Sequence, residues 1–323
     1  MKKKRILCGL LTLAMLMALL TVTAFAEEKA LPLPTEGGKL DPGIYRLSED
    51  LTISNPLEIP KNSDITIDLN GHTLNTTAAK WGVSVSGTCK IVDSAENGTI
   101  ESGEHAFGII PDGKLHINGG TINASDTVSP AIVNSAGAEL TISNAKVSSS
   151  SSKVSSSIIP VLQNQGTVTI QSAELSGNAA SGIGILNVVG SVTVSDSTIY
   201  GAYNGILNVD GSVTVSDSTI YGNGNGILNG LDGVGGNPSI SISNSTVSSN
   251  ASYAVNNALP GSSLTATKTN FIARKRYVIR NAGTLDIDAA SSLTNYYSPI
   301  PGKIVDASSD VLLPAGESWQ DVV

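Results

Sequence analysis

One stretch of this chain is nearly duplicated at a fixed offset: GSVTVSDSTIYGAYNGILNVD from Gly190 is followed by GSVTVSDSTIYGNGNGILNG from Gly211, a period of 21 residues. A unit that short cannot enclose a core of its own, so it must bury its apolar side chains against the next copy. Weaker copies run both ways. GTCKIVDSAENGTI starts at Gly87, GKLHINGGTI at Gly113, AELTISNAKV at Ala138 and GTVTIQSAEL at Gly166; PSISISNSTV follows at Pro238, SSLTATKTNF at Ser262 and GTLDIDAASSL at Gly283. Their uneven spacing is what loops of differing length between like strands produce.

Within each copy apolar residues alternate, as in Val192-Thr193-Val194, Leu115-His116-Ile117 and Val168-Thr169-Ile170, and return five residues later at Ile199, Ile122 and Leu175. Period two means short strands with one face inward. A third apolar group precedes a recurring asparagine at Asn187, Asn208 and Asn229, with Asn134, Asn164 and Asn256 as variants. Three short strands per repeat predict an all-β chain coiled into a right-handed parallel β-helix of roughly ten rungs, on the order of 50 Å long. A leucine-rich repeat needs more leucine and a helical return segment, which the copies lack. Composition agrees: charged residues are only 14% and glycines number 33, leaving Ser, Thr and Asn for the turns and the surface.

Lys2, Lys3, Lys4 and Arg5 precede an apolar run ending near Val22, and Ala24-Phe25-Ala26 is a small-x-small site, so residues 1–26 read as a cleaved secretion signal. Losing these four cations and no acid lowers the net charge from −8 to −12, with 15 basic and 27 acidic residues left. Nucleic acid is then excluded as an expected partner, because phosphate binding needs clustered cations over a large surface. Cys8 goes with the signal and Cys89 remains alone, so no intramolecular disulfide is available. No second apolar stretch spans a membrane, and no wall-sorting tail follows Leu313-Pro314-Ala315-Gly316; release, or loose association with a cell surface, is the expectation. The organisation expected is a signal at 1–26, an N-terminal cap and first rung at 27–62, the β-helix at 63–294 and a C-terminal cap at 295–323. Caps are expected because bare end rungs would expose strand edges.

DITIDLNGHTLN at Asp64 to Asn75, preceded by the Tyr-x-Leu-x-x-Asp-Leu-Thr-Ile stretch at Tyr45 to Ile53, resembles the opening rungs of secreted right-handed β-helix proteins of Gram-positive bacteria, within the pectate-lyase-like superfamily of folds. The resemblance is specific to the first rungs and generic beyond them. It implies a fold and an exported location more than an activity, since that superfamily holds lyases, hydrolases, tailspikes, adhesins and inert surface proteins. The Asn-Thr-Asp, Asp-Asp and Gly-His-Gly motifs of its hydrolases are missing from this chain.

Candidate chemistry is sparse. Asp196 and Asp217 occupy equivalent turn positions one repeat apart, where two neighbouring carboxylates would shift each other's pKa or hold a cation such as calcium; a duplicated, solvated turn is the plainer reading, and Ser172 and Asn244 at the flanking positions add no third acid. Arg274-Lys275-Arg276 with Arg280 would be the base of a lyase-like site or a contact for anions, or else a solvated turn. His72, His105 and His116 have no metal-ligand spacing, so no cofactor is expected. Tyr200 and Tyr221 should point outward from successive rungs, with Tyr203, Asn204, Asn223 and Asn225 on the next turn; aromatic faces flanked by amides are what sugar rings bind, although the two rings could simply stack on each other. A single outward file, Thr66, Thr141, Thr169, Thr193, Thr214, Ser241 and Thr265, reads as β-propensity and solubility. Three functions fit these residues. The first is a non-enzymatic, adhesin-like or carbohydrate-binding module meeting a polysaccharide or a host or cell-surface component. The second is a divergent polysaccharide lyase or glycoside hydrolase around Asp196, Asp217 and Arg274 to Arg280, and the third a passive structural protein.

Overall fold

The structure, a computed structural model, describes residues 30–77, 81–125, 129–151 and 158–296, with the backbone of strands Ile304–Asp306 and Leu312–Leu313. The signal at 1–26 and most of the 295–323 segment lie outside the described residues.

All regular structure among the described residues is β. Strands are dealt in turn to three sheets, so three successive strands make one turn of a parallel β-solenoid of about ten turns. Sheet I has 11 strands, from Gly43–Arg46 to Thr284–Ile287; sheet II has 11, from Leu51–Thr52 to Ser292–Asn295; sheet III has 13, from Gly38–Lys39 to Leu312–Leu313. Every strand pair is parallel except the last, where Leu312–Leu313 runs antiparallel to Ile304–Asp306. The duplicated repeats show the unit: Ser191–Ser195, Thr198–Gly201 and Asn204–Asn208 lie in sheets I, II and III, and Ser212–Ser216, Thr219–Gly222 and Ile227–Asn229 lie directly on them. The three-strand repeat is therefore as the periodicity predicts. Residues 38–59, within the segment assigned to a cap and first rung, already supply strands that pair with the next rung, Tyr45 beside Ile67 and Leu57 beside Val83.

Register is the same on all three sides, so like residues stack. Val192 lies on Val213, Ile199 on Ile220 and Ile206 on Ile227, all fully buried or nearly so. Each such aliphatic side chain contributes about 1.5–3 kcal/mol by leaving water. Phe107 and Phe271 are the largest fully buried side chains, and mostly aliphatic residues fill the rest of the narrow bore.

The corners hold the polar atoms that close the backbone. Between sheets III and I an asparagine ladder runs up the interior: Asn134, Asn164, Asn187, Asn208, Asn229, Asn257 and Asn281 each donate or accept through Nδ2 and Oδ1 at 2.7–2.9 Å. The last variant foreseen, Asn256, is displaced by one: Asn257 points into the ladder and Asn256 outward, accepting from Arg280. The ladder begins at Asn134 because Ile109 holds that position in the rung before, leaving Asn134 Oδ1 without a partner. Between sheets I and II a buried serine ladder does similar work. Ser197, Ser218 and Ser245 each donate Oγ to the carbonyl two residues back at 2.6 Å and accept the N–H of the preceding rung at 3.0–3.1 Å. At this corner Asn144, Ser172, Asp196, Asp217, Asn244 and Lys268 all adopt φ between 46° and 51°, a region that Asn and Asp enter at least cost.

Asn208→Ala should destabilise the protein by about 2 kcal/mol, since in the dry interior it takes from Asn229 Oδ1 its ladder donor and from Asn187 Nδ2 its ladder acceptor, leaving the latter only backbone carbonyls. A urea denaturation curve unmoved from that of the unsubstituted chain would show that the ladder contributes nothing.

Candidate functional site

Among the described residues every tyrosine that reaches the surface lies on one side of the solenoid. Tyr200 and Tyr221 stand on the outer face of sheet II, and Tyr203, Tyr253, Tyr277 and Tyr296 lie at the II/III corner or just before it; Tyr45 is buried. The cause is local. In TIYG the isoleucine enters the bore, so the tyrosine must leave it, and the glycine must follow because the chain folds back on itself: a Cβ on Gly201 would overlap the Asn204 carbonyl, and one on Gly222 the Asn225 carbonyl. The Tyr200 and Tyr221 rings are stacked, centroids 5.4 Å apart and planes 9° apart. That is offset stacking between neighbouring strands, so each ring turns one face to its partner and keeps the other. Tyr203 is 50% exposed, Tyr277 39% and Tyr296 68%. The last two, and Tyr253, sit in the weaker copies, without a near-duplicate beside them; Tyr253 and Tyr277 each stand two residues before a sheet III strand, Val255–Asn257 and Ile279–Asn281, which is the signal for those two, whereas Tyr296 directly follows the sheet II strand Ser292–Asn295.

Asn204 and Asn225 correct the expectation that places them outside with the tyrosines. Their exposures are 1% and 8%, and Asn225 donates through both its backbone N and Nδ2 to Asn204 Oδ1, at 3.2 and 3.1 Å. They share the parity of Ile206 and Ile227, which takes their side chains inward. Asn223 stays outside, accepting at 2.8 Å from Asn250 one rung on.

Asp196 and Asp217 are exposed and lie one rung apart at the I/II corner, each with φ 50°. Their backbone conformation accounts for their residue type, and the flanking positions are Ser172 and Asn244. Arg274, Lys275 and Arg276 are exposed at the II/III corner, a different edge of the prism. The guanidinium of Arg274 lies 5.7 Å over the Tyr296 ring and that of Arg276 6.0 Å over Tyr253; Arg280 donates to Asn256 Oδ1 at 3.1 Å. No carboxylate pairs with these four cations among the described residues. In contrast, Arg46, Lys61, Lys90, Lys114 and Lys146 sit 2.8–3.8 Å from Asp68, Asp112, Asp64, Glu139 and Glu174.

The best-held carboxylates are at the other end of the molecule. Asp68 Oδ1 accepts from the N–H groups of Asn70 and Ser94, and Oδ2 from Ser94 Oγ and Arg46 Nε, at 2.8–3.0 Å. Burial raises its pKa, but these four donors outweigh burial and hold it below the ordinary value. Asp93 clamps the N–H groups of Gly71 and Gly98 at 2.8 and 2.6 Å. Both aspartates tie down turns. Cys89 is fully buried, and burial, aided by the charge of Asp64, pushes its thiol up to about 12. His72 Nδ1 is 3.6 Å from Asp50, His105 stacks on Trp81 with centroids 3.9 Å apart, and His116 occupies an outward position of sheet I. Among the described residues no group of three or more His, Cys, Asp and Glu is placed to hold a metal, and no helix is long and apolar enough to cross a membrane.

The outer face of sheet I also differs from expectation. Lys90 and His116 interrupt the threonine file between Thr66 and Thr141, and beyond that it is one of three. Thr167, Ser191, Ser212, Ser239 and Ser263 run on one side of it, and Ser195, Ser216, Ser243 and Thr267 on the other. Serine beside threonine hid the pattern in the sequence. Charged files would stack like charges every ~4.8 Å, whereas hydroxyls keep this face wet without repulsion.

Compared with protein-family models and with curated proteins, the chain has no significant match.

Two outcomes follow from these placements. Asp217→Asn should leave stability nearly unchanged, while Asp217→Val should cost about 1–2 kcal/mol by forcing a β-branched residue to positive φ; equal effects in thermal melts would show that the carboxylate, not the backbone, matters there. Because the folded pKa of Asp68 is lowered, its contribution is present above about pH 4 and lost as pH falls through the folded value. Asp68→Asn should therefore flatten the acid limb of a stability-against-pH curve, and an unaltered limb would assign acid sensitivity elsewhere.

Proposed function

We propose that the mature chain is a non-enzymatic, exported carbohydrate-contacting module that works outside the cell or loosely held at its surface. The observation that carries this reading is the gathering of all surface tyrosines of the described residues on the sheet II side, next to exposed Asn223 and the Arg274–Arg276 loop. Aromatic rings present apolar faces to the C–H face of a sugar, and adjoining hydroxyls, amides and guanidinium groups bond its hydroxyls. A solenoid adds a rigid, regular backing, so that ordering the site on binding costs little. The leader-like residues 1–26 and the acidic, hydroxyl-rich composition support an exported location.

The enzymatic reading is weaker on geometry. A lyase or hydrolase needs its acid and base around one bond, within about 5–9.5 Å for paired carboxylates. Asp196 and Asp217 stand at the I/II corner, and Arg274 and Arg276 at the II/III corner. The intervening sheet II strands, four residues long, separate those corners by about 13 Å. Calcium remains a proposal limited to the two exposed aspartates.

Tyr200→Ala with Tyr221→Ala should weaken glycan binding by about tenfold or more while the far-ultraviolet circular dichroism stays unchanged. A glycan-array screen of residues 27–323, with and without calcium, followed by product analysis of every hit, is the test. Binding without cleavage supports the module, cleavage overturns it in favour of the enzyme, and no binding at all leaves the structural role.

A further inference from the structure

Rung register joins two features that lie far apart along the chain. At the II/III corner Asn223, Asn250, Arg274 and Tyr296 follow one another in successive rungs, each N–H bonded to the carbonyl of the rung before: Asn250 to Gly222, Arg274 to Ser249 and Tyr296 to Ala273. Tyr203 opens the same ridge, its carbonyl accepting the N–H of Gly224. From the rung of Tyr203 to that of Tyr296 is four steps, about 20 Å along the axis. The first part of the ridge is aromatic and amide; the last part is aromatic and cationic.

The cations there are arranged unlike those elsewhere. Toward the other end of the solenoid Arg46, Lys61, Lys90, Lys114 and Lys146 are each matched to a carboxylate across rungs. Arg274 and Arg276 are instead held over the rings of Tyr296 and Tyr253. A ring face steadies a guanidinium without neutralising it, so its N–H groups and full charge stay open to a ligand. In a chain whose net charge is −8, this ridge gathers Arg274, Lys275 and Arg276 with no carboxylate paired to them among the described residues, so an anion is attracted there.

We propose that the ridge binds an acidic polysaccharide laid along the solenoid axis, its carboxylate or phosphate groups at Arg274, Lys275 and Arg276 and its sugar rings against Tyr203 and Tyr277. The proposal rests on the carbohydrate-binding reading and adds the charge class and direction of the ligand. Nucleic acid fits less well, because three cations at one end of an otherwise acidic protein neutralise few phosphates.

The test measures binding of residues 27–323 to hyaluronan, to poly(glycerol phosphate), to neutral dextran and to duplex DNA, for the unsubstituted chain, Arg274→Gln with Arg276→Gln, and Arg274→Lys with Arg276→Lys. Circular dichroism and thermal melts of each variant check the fold. Expected is a preference for one or both acidic polymers over dextran, a loss of about tenfold or more in the glutamine variant and substantial retention in the lysine variant. The first two polymers distinguish a carboxylate from a phosphate ligand. Dextran bound as well as the acidic polymers, with no change on Arg→Gln, overturns this inference and leaves the carbohydrate reading standing. No binding to any glycan overturns both, and DNA bound as tightly as the glycans overturns selectivity for a sugar polymer. Should the glutamine pair unfold, Lys275→Gln alone, in which neither arginine–tyrosine contact is touched, gives the same readout at smaller amplitude; a preference for the acidic polymers unchanged in that variant overturns the proposal.

Discussion

Everything in this molecule depends on register-true stacking of one rung on the next. Parallel strands about 4.8 Å apart repeat the same pairing on three sides, so any residue type placed at one position meets its like one turn later. Repetition rewards side chains that complement themselves. Isoleucine and valine stack in the bore, while asparagine, with a donor and an acceptor on one amide, passes a hydrogen bond from Asn134 through to Asn281. At the I/II corner serine links the rungs through the backbone, its Oγ accepting an N–H of the rung before and donating to a carbonyl of its own. Charge does not stack with itself, which is why lysines meet carboxylates in the rungs toward the N-terminus and hydroxyls take over the outer face of sheet I beyond them.

The surface inherits this rule. A ligand-contacting residue on a solenoid is one member of a column, and a site is a set of neighbouring columns read along the axis. The tyrosine columns of sheet II and the II/III corner stand apart because they interrupt an exterior of small hydroxyls with large rings, and the Arg274–Arg276 loop stands apart because its cations lean on those rings instead of on carboxylates. By contrast Asp196 and Asp217, conspicuous in the sequence through duplication, belong to a column whose common property is a left-handed backbone. Duplication copies structural necessities as faithfully as functional ones, and φ separates the two cases.

Much of this was legible from the residues. The 21-residue period, its alternation and its recurring asparagine predict three strands per turn, inward Ile199 and Ile220, and outward Tyr200 and Tyr221, because period two leaves a side chain only two directions. The bend at Gly201 and Gly222 is where that rule stops helping. Beyond the bend parity restarts from the sheet III strand, so Asn204 and Asn225 return inward, and a shift of one residue puts Asn257 rather than Asn256 in the ladder.

The repeat, the strand faces and the chemistry of the corners are therefore written in the residues alone, all set by interactions within one rung or between adjacent copies of it. Which distant residues share a column depends instead on how the rungs pair in three dimensions. Loops of different length between copies erase that correspondence along the chain, and only backbone pairing from rung to rung restores it. Hence the meeting of Arg274 with Tyr296, of Arg276 with Tyr253, and of both with the ridge that Tyr203 begins.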